Sequence, residues 1–419
     1  MSAVAASLRA GGAARLPAWS GFAAVLAAAG LPIYIHAPKF YVDSYGVGLG
    51  ALGLVLFGLR LLDVVQDPAL GWLAERAGRA RGASIWAAVA VMAAAMLGLF
   101  AVVPPVAPLA WFALCLAALF SAFSYLTISF YAAGVGKASA LPGGHLQLAA
   151  WRETGALLGV SLAALAPVVF AALTGRPFAA FALAFAAAAL FVAWAMRGEW
   201  RGMGNAAAPG ALRAILADAT LRRLLWVALA NATPVAVTST LFLFYVESRL
   251  AAPGWEGPLL LLFFLAAAAA APGWAWLAQV FGARRVLLAG MVLSILAFLG
   301  AATLGPGDVA LFALVCLASG AALGADMTLL PALFAGRLAR IAPRGGQGFG
   351  LWSFVTKFTL ALAAVTLLPL LEAAGFRAGV ENGETALAAL TLLYALVPCA
   401  LKLLAIGLLL ATPLGEEDD

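Results

Sequence analysis

The chain alternates between long apolar blocks and short polar breaks. Stretches of Ala, Leu, Val and Phe are cut at intervals by clusters of Arg, Gly and Pro. A helix that crosses the hydrocarbon core of a bilayer needs about 20 mostly apolar residues. Cut on that basis, the sequence predicts spans near 16–38, 47–74, 84–103, 108–134, 148–172, 178–196, 223–246, 258–280, 286–304, 309–336, 348–371 and 387–411. The pattern predicts an all-α integral membrane protein of twelve helices. An even count puts both termini on one side.

The polar breaks give the spans a direction. Loops assigned to the inner side contain Arg9, Arg15, Arg76, Arg79, Arg81, Lys137, Arg197, Arg201, Arg213, Arg222, Arg223, Arg284, Arg285, Arg337, Arg340 and Arg344. The other loops contain only Lys39, Arg176, Arg249 and Arg377. Cytoplasmic loops carry the excess of Lys and Arg, so the bias predicts cytoplasmic termini in a bacterial-type inner membrane. The first fifteen residues show no cleavable signal pattern and suit a short cytoplasmic tail. The longest polar segment, Arg197–Arg223, divides the chain into an N-terminal six-helix bundle (1–196), a cytoplasmic linker (197–222) and a C-terminal six-helix bundle (223–419).

An internal repeat supports two halves. Trp72-Leu73-Ala74-Glu75 followed by Gly78 recurs 204 residues later as Trp276-Leu277-Ala278-Gln279 followed by Gly282. Phe112-Ala113-Leu114 is echoed by Phe312-Ala313-Leu314, and Pro32 by Pro234. Repeated halves are common in transporters, whose sites lie at the midplane near Pro-interrupted helices. Pro32 and Pro38 are expected to break the first helix and Pro234 the seventh. Around them lie Tyr34, His36, Tyr41, Asn231, Thr233, Thr238 and Ser239, as substrate contacts or as hydroxyls that resatisfy backbone freed by proline.

Composition removes other classes. The 419 residues are 65% hydrophobic and 10% charged, against about 25% charged in a soluble domain. A transmembrane β-barrel needs alternating strands, which these blocks lack. The net charge of +6 is explained by the inner loops, and no nucleic-acid partner is expected. Cys115, Cys316 and Cys399 fall inside apolar runs and read as small hydrophobes. No HExxH or GxSxG motif occurs, so no enzyme and no cofactor is expected.

Few charges remain at membrane depth: Arg60, Arg152, Lys357 and Lys402 against Asp63, Asp67, Glu153 and Asp326. Each costs a few kcal/mol against lipid, so pairing or a wet cavity is expected. Lys402 has the reach to snorkel and Glu153 lies near a span end, so both are set aside. Arg60, Asp63 and Asp67 share one helical face. Two carboxylates a turn apart repel unless a cation or shared proton lies between them. A hard cation such as Na⁺ takes oxygen ligands, which Asp63, Asp67 and the Gln66 carbonyl supply. The alternative is an Arg60–Asp63 pair that ties helices together. Lys357 needs an acidic partner and stands in for the cation when the site is empty, or forms a fixed salt bridge.

The run Arg60-x-x-Asp63-x-x-x-Asp67-Pro68-x-x-Gly71 resembles the melibiose-permease-like branch of the major facilitator superfamily, the glycoside–pentoside–hexuronide:cation symporters. Gly71-x-x-x-Glu75-Arg76-x-Gly78-Arg79 resembles the superfamily's loop between helices two and three. Gly350-x-Trp352-x-Phe354-x-x-Lys357 is similar to the branch's eleventh-helix signature, and Trp151-Arg152 to its fifth-helix Arg. The resemblance implies the major facilitator fold, a cation site at Asp63, Gln66, Asp67 and Ser124, Lys357 as gating cation, and Arg152, Thr127 and Tyr131 facing substrate. The sequence departs from the branch at Ala27 and Thr127, which replace sugar-binding carboxylates, and at Pro331 and Phe334, where an acidic pair is common. These losses count against disaccharide specificity, and an anionic or amphipathic substrate is an alternative.

The expected function is cation-coupled (Na⁺ or H⁺) secondary transport of a small organic solute, a sugar or glycoside among the candidates, by alternating access. The coupling set is Asp63, Gln66, Asp67, Ser124, Arg60 and Lys357. The substrate set is Tyr34, His36, Thr127, Tyr131, Arg152, Asn231 and Trp352. The expected surroundings are a lipid bilayer and a monomeric state. The alternatives are a proton-driven exporter or lipid transporter on the same fold, and an assembly factor without transport.

Overall fold

The computed structural model describes residues 15–138, 141–200, 211–377 and 380–414. Among these, all regular structure is helical. Helix α1 has two segments, Leu16–Ala28 and Leu31–Tyr45, followed by α2 (Leu49–Arg76), α3 (Arg81–Phe100), α4 (Pro108–Ala138), α5 (Gly144–Leu173) and α6 (Pro177–Ala195). A short helix, Ala211–Ala217, lies in the linker, where no helix was expected. The second half runs α7 (Ala219–Arg249), α8 (Glu256–Phe281), α9 (Ala283–Ala301), α10 (Val309–Ile341), α11 (Gly346–Ala373) and α12 (Glu384–Leu410). Nine of the twelve, among the described residues, are long and apolar enough to cross a membrane by length and composition alone. The twelve also include α1, which is split, α2 and α5.

The prolines do less than expected. The break in α1 falls at Ala29–Gly30, with Pro32 in the first turn of the second segment. There its missing N–H would have had no helical partner. Pro38 and Pro234 sit inside continuous helices, which corrects the expectation that both are breaks. Nearby hydroxyls do bond backbone: Thr233 donates to the Leu229 carbonyl at 2.6 Å and Thr238 to the Val235 carbonyl at 3.1 Å. A neighbouring hydroxyl of this kind lets a spanning helix carry proline.

Close packing rests on small residues. A Cβ on Gly155 or Gly159 of α5 would stand 2.1 Å from the Ser20 carbonyl or 2.2 Å from the Ala24 carbonyl of α1. Gly320 and Gly324 of α10 meet α8 in the same way, 2.3 Å from the Phe263 carbonyl and 2.7 Å from that of Ala267. Helices in lipid associate through such spaced small residues because lipid gives no hydrophobic push between them. The two halves meet where α2 packs on α11 and α5 on α8.

Candidate functional site

The seam between α2 and α11 holds the site. Asp63 and Asp67 are one turn apart on α2, so both face α11. Asp67 is fully buried and Asp63 nearly so, at 0% and 5% exposed. Lys357 of α11 donates to Asp63 Oδ1 at 2.7 Å and to Asp67 Oδ1 at 3.2 Å. It also reaches Ser124 Oγ of α4 at 2.6 Å. Ser124 donates to Asp63 Oδ1 at 2.8 Å. Ser353, one turn before Lys357, donates to Asp67 Oδ2 at 2.5 Å. Gln66 Nε2 donates to Asp63 Oδ1 at 3.5 Å, and its Oε1 accepts from Ser121 Oγ at 2.8 Å.

Two carboxylates thus face one ammonium, with the hydroxyls of Ser124 and Ser353 and the amide N–H of Gln66 around them. Such a set holds one positive charge, here that of Lys357. The oxygens of Asp63, Asp67 and Ser124 suit a hard cation, and Lys357 and Ser353 both bond across the halves. The sequence pointed to Asp63, Gln66, Asp67, Ser124 and Lys357, and the structure brings all five together. It missed Ser353 and Ser121. Ser353 was legible as the residue one turn before Lys357 on the same face; Ser121 depended on how α4 meets α2. Arg60, Tyr34 and His36 lie on α2 and α1, and their side chains fall outside the described residues.

The seam differs on either side of this cluster. Toward the end carrying Arg76 and Arg337, hereafter the basic end, it is tight. A Cβ on Gly71 would stand 2.6 Å from the Gly346 carbonyl, and one on Gly350 2.9 Å from the Asp67 carbonyl. Glu75 accepts from the Gln347 backbone N–H at 2.8 Å and from its side chain at 2.7 Å, fastening α2 to the start of α11. An aromatic group crosses the halves nearby: Tyr131 against Phe349 at 5.2 Å and Phe334 against Trp352 at 4.9 Å. Gly53 lies 18 residues before Gly71, five turns away on the same face. A Cβ there meets nothing within 4 Å.

The proposed substrate residues divide. Tyr131 and Trp352 belong to the aromatic group. Arg152 is buried, donates to Glu153 Oε1 at 2.7 Å and stacks over the Tyr131 ring at 3.7 Å. Tyr131 donates to the same carboxylate oxygen at 2.8 Å. Glu153, set aside from the sequence, is the counter-ion of Arg152. Thr127 Oγ1 is buried without a partner. Asn231 lies elsewhere, with Lys402 of α12 donating to its Oδ1 at 2.6 Å and to Asp326 of α10. Lys402 is 1% exposed, so it does not snorkel; its carboxylate partner holds it in the bundle. Tyr41 packs on Phe112 at 4.9 Å.

Comparisons with known proteins place the chain in a family and a fold. Residues 18–416 match the model of the MFS/sugar transport protein family, and the chain belongs to it, within the major facilitator superfamily. No curated protein matches the chain. Among solved structures it is similar to a bacterial homologue of the iron transporter ferroportin in an outward-facing state, with 15% identity, TM-score 0.70, and 95% of this chain and 99% of that one covered. It is also similar to the human organic anion transporter MFSD10 (TETRAN), with 18% identity, TM-score 0.66, and 94% and 98% covered. At these identities the likeness shows the fold: a twelve-helix major facilitator in two six-helix halves. The chain is a membrane transporter by family.

Proposed function

We propose that this protein is a cation-coupled secondary transporter of a small organic solute, with the coupling cation bound at Asp63 and Asp67. The observation that carries the reading is Lys357, an ammonium from one half held by two carboxylates of the other. A cation that enters takes the place of Lys357 among the oxygens of Asp63, Asp67, Gln66 and Ser124. The empty carboxylates repel each other and resist burial. Either Lys357 or the cation must therefore be present when the halves rock, and the two states differ in what ties α2 to α11. That difference is what a coupling ion needs in order to shift a population.

The basic end is assigned to the cytoplasm by the Arg bias, with the chain in a bacterial-type inner membrane and acting as a monomer. The tight seam at that end makes this conformation the one closed to the cytoplasm. Na⁺ and H⁺ are both candidates for the ion, and a sugar or glycoside for the solute. Sodium is tested by thermal stability of the purified protein in sodium against choline, and by uptake into proteoliposomes under an imposed sodium or proton gradient. Asp63→Asn is expected to remove the ion response and gradient-driven uptake while the protein still folds. Unchanged uptake against a gradient in that variant overturns the reading.

A further inference from the structure

The start of α5 meets the other half at the basic end. A Cβ on Gly143, which caps α5, would stand 3.0 Å from Gln279 Nε2 of α8. His145, in the first turn, lies over Gly336 of α10, where a Cβ would stand 3.8 Å from His145 Cδ2. The imidazole is thus half-buried in the seam between the halves and lies outside the apolar run 148–172. This seam must part when the basic end opens, and the ion mechanism makes no use of His145.

The place disfavours a charge on the ring for three reasons. The opposite half shields it from water. It sits at a helix N-terminus, where the dipole is positive. The charged groups nearby are cationic or already paired. On α5, Arg152 is matched by Glu153 at 2.7 Å. On α4, Lys137 pairs with Glu199 at 3.0 Å. On α10, Arg337 pairs with Asp218 at 2.7 Å, and Arg340 follows one turn later. Arg15 and Arg197 lie where α1 and α6 reach this end, Lys39 and Asp43 of α1 belong to the opposite end, and α8 carries no charge after Glu256. Glu75 is engaged by Gln347. Burial first, and then the Arg152 guanidinium, push the imidazole down from 6.5 to about 4.

We propose that His145 is a pH-sensitive latch on the cytoplasmic gate: neutral, it lets the basic end close, and protonated, it holds that end open. The inference rests on the alternating access of the reading above and not on its coupling ion. Closure excludes the proton, so the open form binds it more tightly and acid shifts the population toward opening. The sign follows from the two states. Above the ordinary histidine value of about 6.5 closure carries no cost. From there down to about 4, each pH unit favours opening by up to about tenfold. An acid cytoplasm therefore biases the protein toward the form open to it, and histidine is the side chain whose ordinary range makes that response possible.

The test reads closure through Val135→Cys in the purified full chain. Val135 of α4 is 1% exposed and lies under the other half, 2.8 Å from where a Cβ on Gly345 would stand. A cysteine there reacts with a water-soluble maleimide only when the basic end opens; Cys115, Cys316 and Cys399 are buried. Labelling rates at about pH 7.5 and pH 5.5 are divided by those in a His145→Gln background, with His145→Asn as a second neutral background. The division cancels the titration of the thiol and of Glu75, which are common to all. The ratio is expected to rise about tenfold in acid. His145→Arg should label faster than His145→Gln at both pH values. A ratio that stays flat, or a His145→Arg protein as closed as His145→Gln, overturns the proposal. Sodium stabilisation is read on the same samples and should be equal in all of them; its absence throughout would count against the ion site alone.

Discussion

Among the described residues, two buried lysine–carboxylate clusters are built differently. Lys357 crosses between halves, faces two carboxylates and is partly exposed, at 15% of its side chain. Lys402 stays within one half, faces one carboxylate and an amide, and is sealed. In the proposed mechanism, a second carboxylate and partial exposure let the first cluster trade its ammonium for another cation. The second has no surplus negative charge and almost no exposure, which suits a fixed structural pair. Placement decides the consequence too. A bond between halves differs between conformations, whereas a bond within one half persists when the halves move as bodies.

The largest contrast should appear when each lysine is removed. Lys402→Met leaves Asp326 buried without its partner, a loss of about 3–5 kcal/mol. In sodium, Lys357→Met should cost less, because sodium fills the gap between Asp63 and Asp67; in choline it leaves both carboxylates unpaired. Thermal unfolding in sodium and in choline checks both: sodium should rescue the second variant and not the first. Equal rescue would erase the distinction between the clusters.

Asp63→Asn comes next. Coupling energies between sites are typically worth roughly 5- to 150-fold in affinity, and the linkage between ion and solute should fall by that order, measured as solute affinity with and without sodium. Gly71→Ala tests the seam between the halves. Its Cβ would overlap the Gly346 carbonyl, an overpacking cost of about 1–3 kcal/mol carried only by the conformation closed at the basic end. Cysteines placed at that end should become more accessible to a water-soluble thiol reagent.

The smallest effect is expected at the junction of linker and bundle. Asp218 caps α7 by accepting from the Leu221 N–H at 2.8 Å, and pairs with Arg337 at 2.7 Å. Burial by itself would raise its carboxyl, but the Arg337 and Leu221 hydrogen bonds outweigh that and hold it below the ordinary range. Its contribution is therefore complete above the ordinary aspartate value of about 4 and is lost as pH falls through the lower folded value. Asp218→Asn keeps the cap but loses the ion pair with Arg337, so it should cost about 0.2–1 kcal/mol at neutral pH, and the difference from wild type should shrink in acid, read by thermal unfolding at a series of pH values.

Several of these features were legible in the sequence. The twelve spans follow from apolar runs cut by charge, because a bilayer imposes a length on any helix that crosses it. The spacing of Asp63 and Asp67 places them on one face whatever surrounds them. Scarcity of charge then makes Lys357 their natural partner. The pairing of Lys402 was missed because a lysine in a long apolar run is read as a snorkeling surface residue until its neighbours are known. Glu153 was missed because its position near a helix start hides the fact that α4 brings Tyr131 over it.

The sequence by itself therefore determined the membrane class, the helix count and the α2 carboxylate pair, all of which depend on local length and spacing. The tertiary structure alone decided which charges meet. It put Lys357 across the seam with Ser353 beside it, sealed Lys402 against Asp326 and Asn231, and closed the basic end where Gly71 meets Gly346. Such contacts depend on how helices distant in sequence lie against one another. In lipid that is settled by small residues and buried polar pairs, whose partners no single helix reveals.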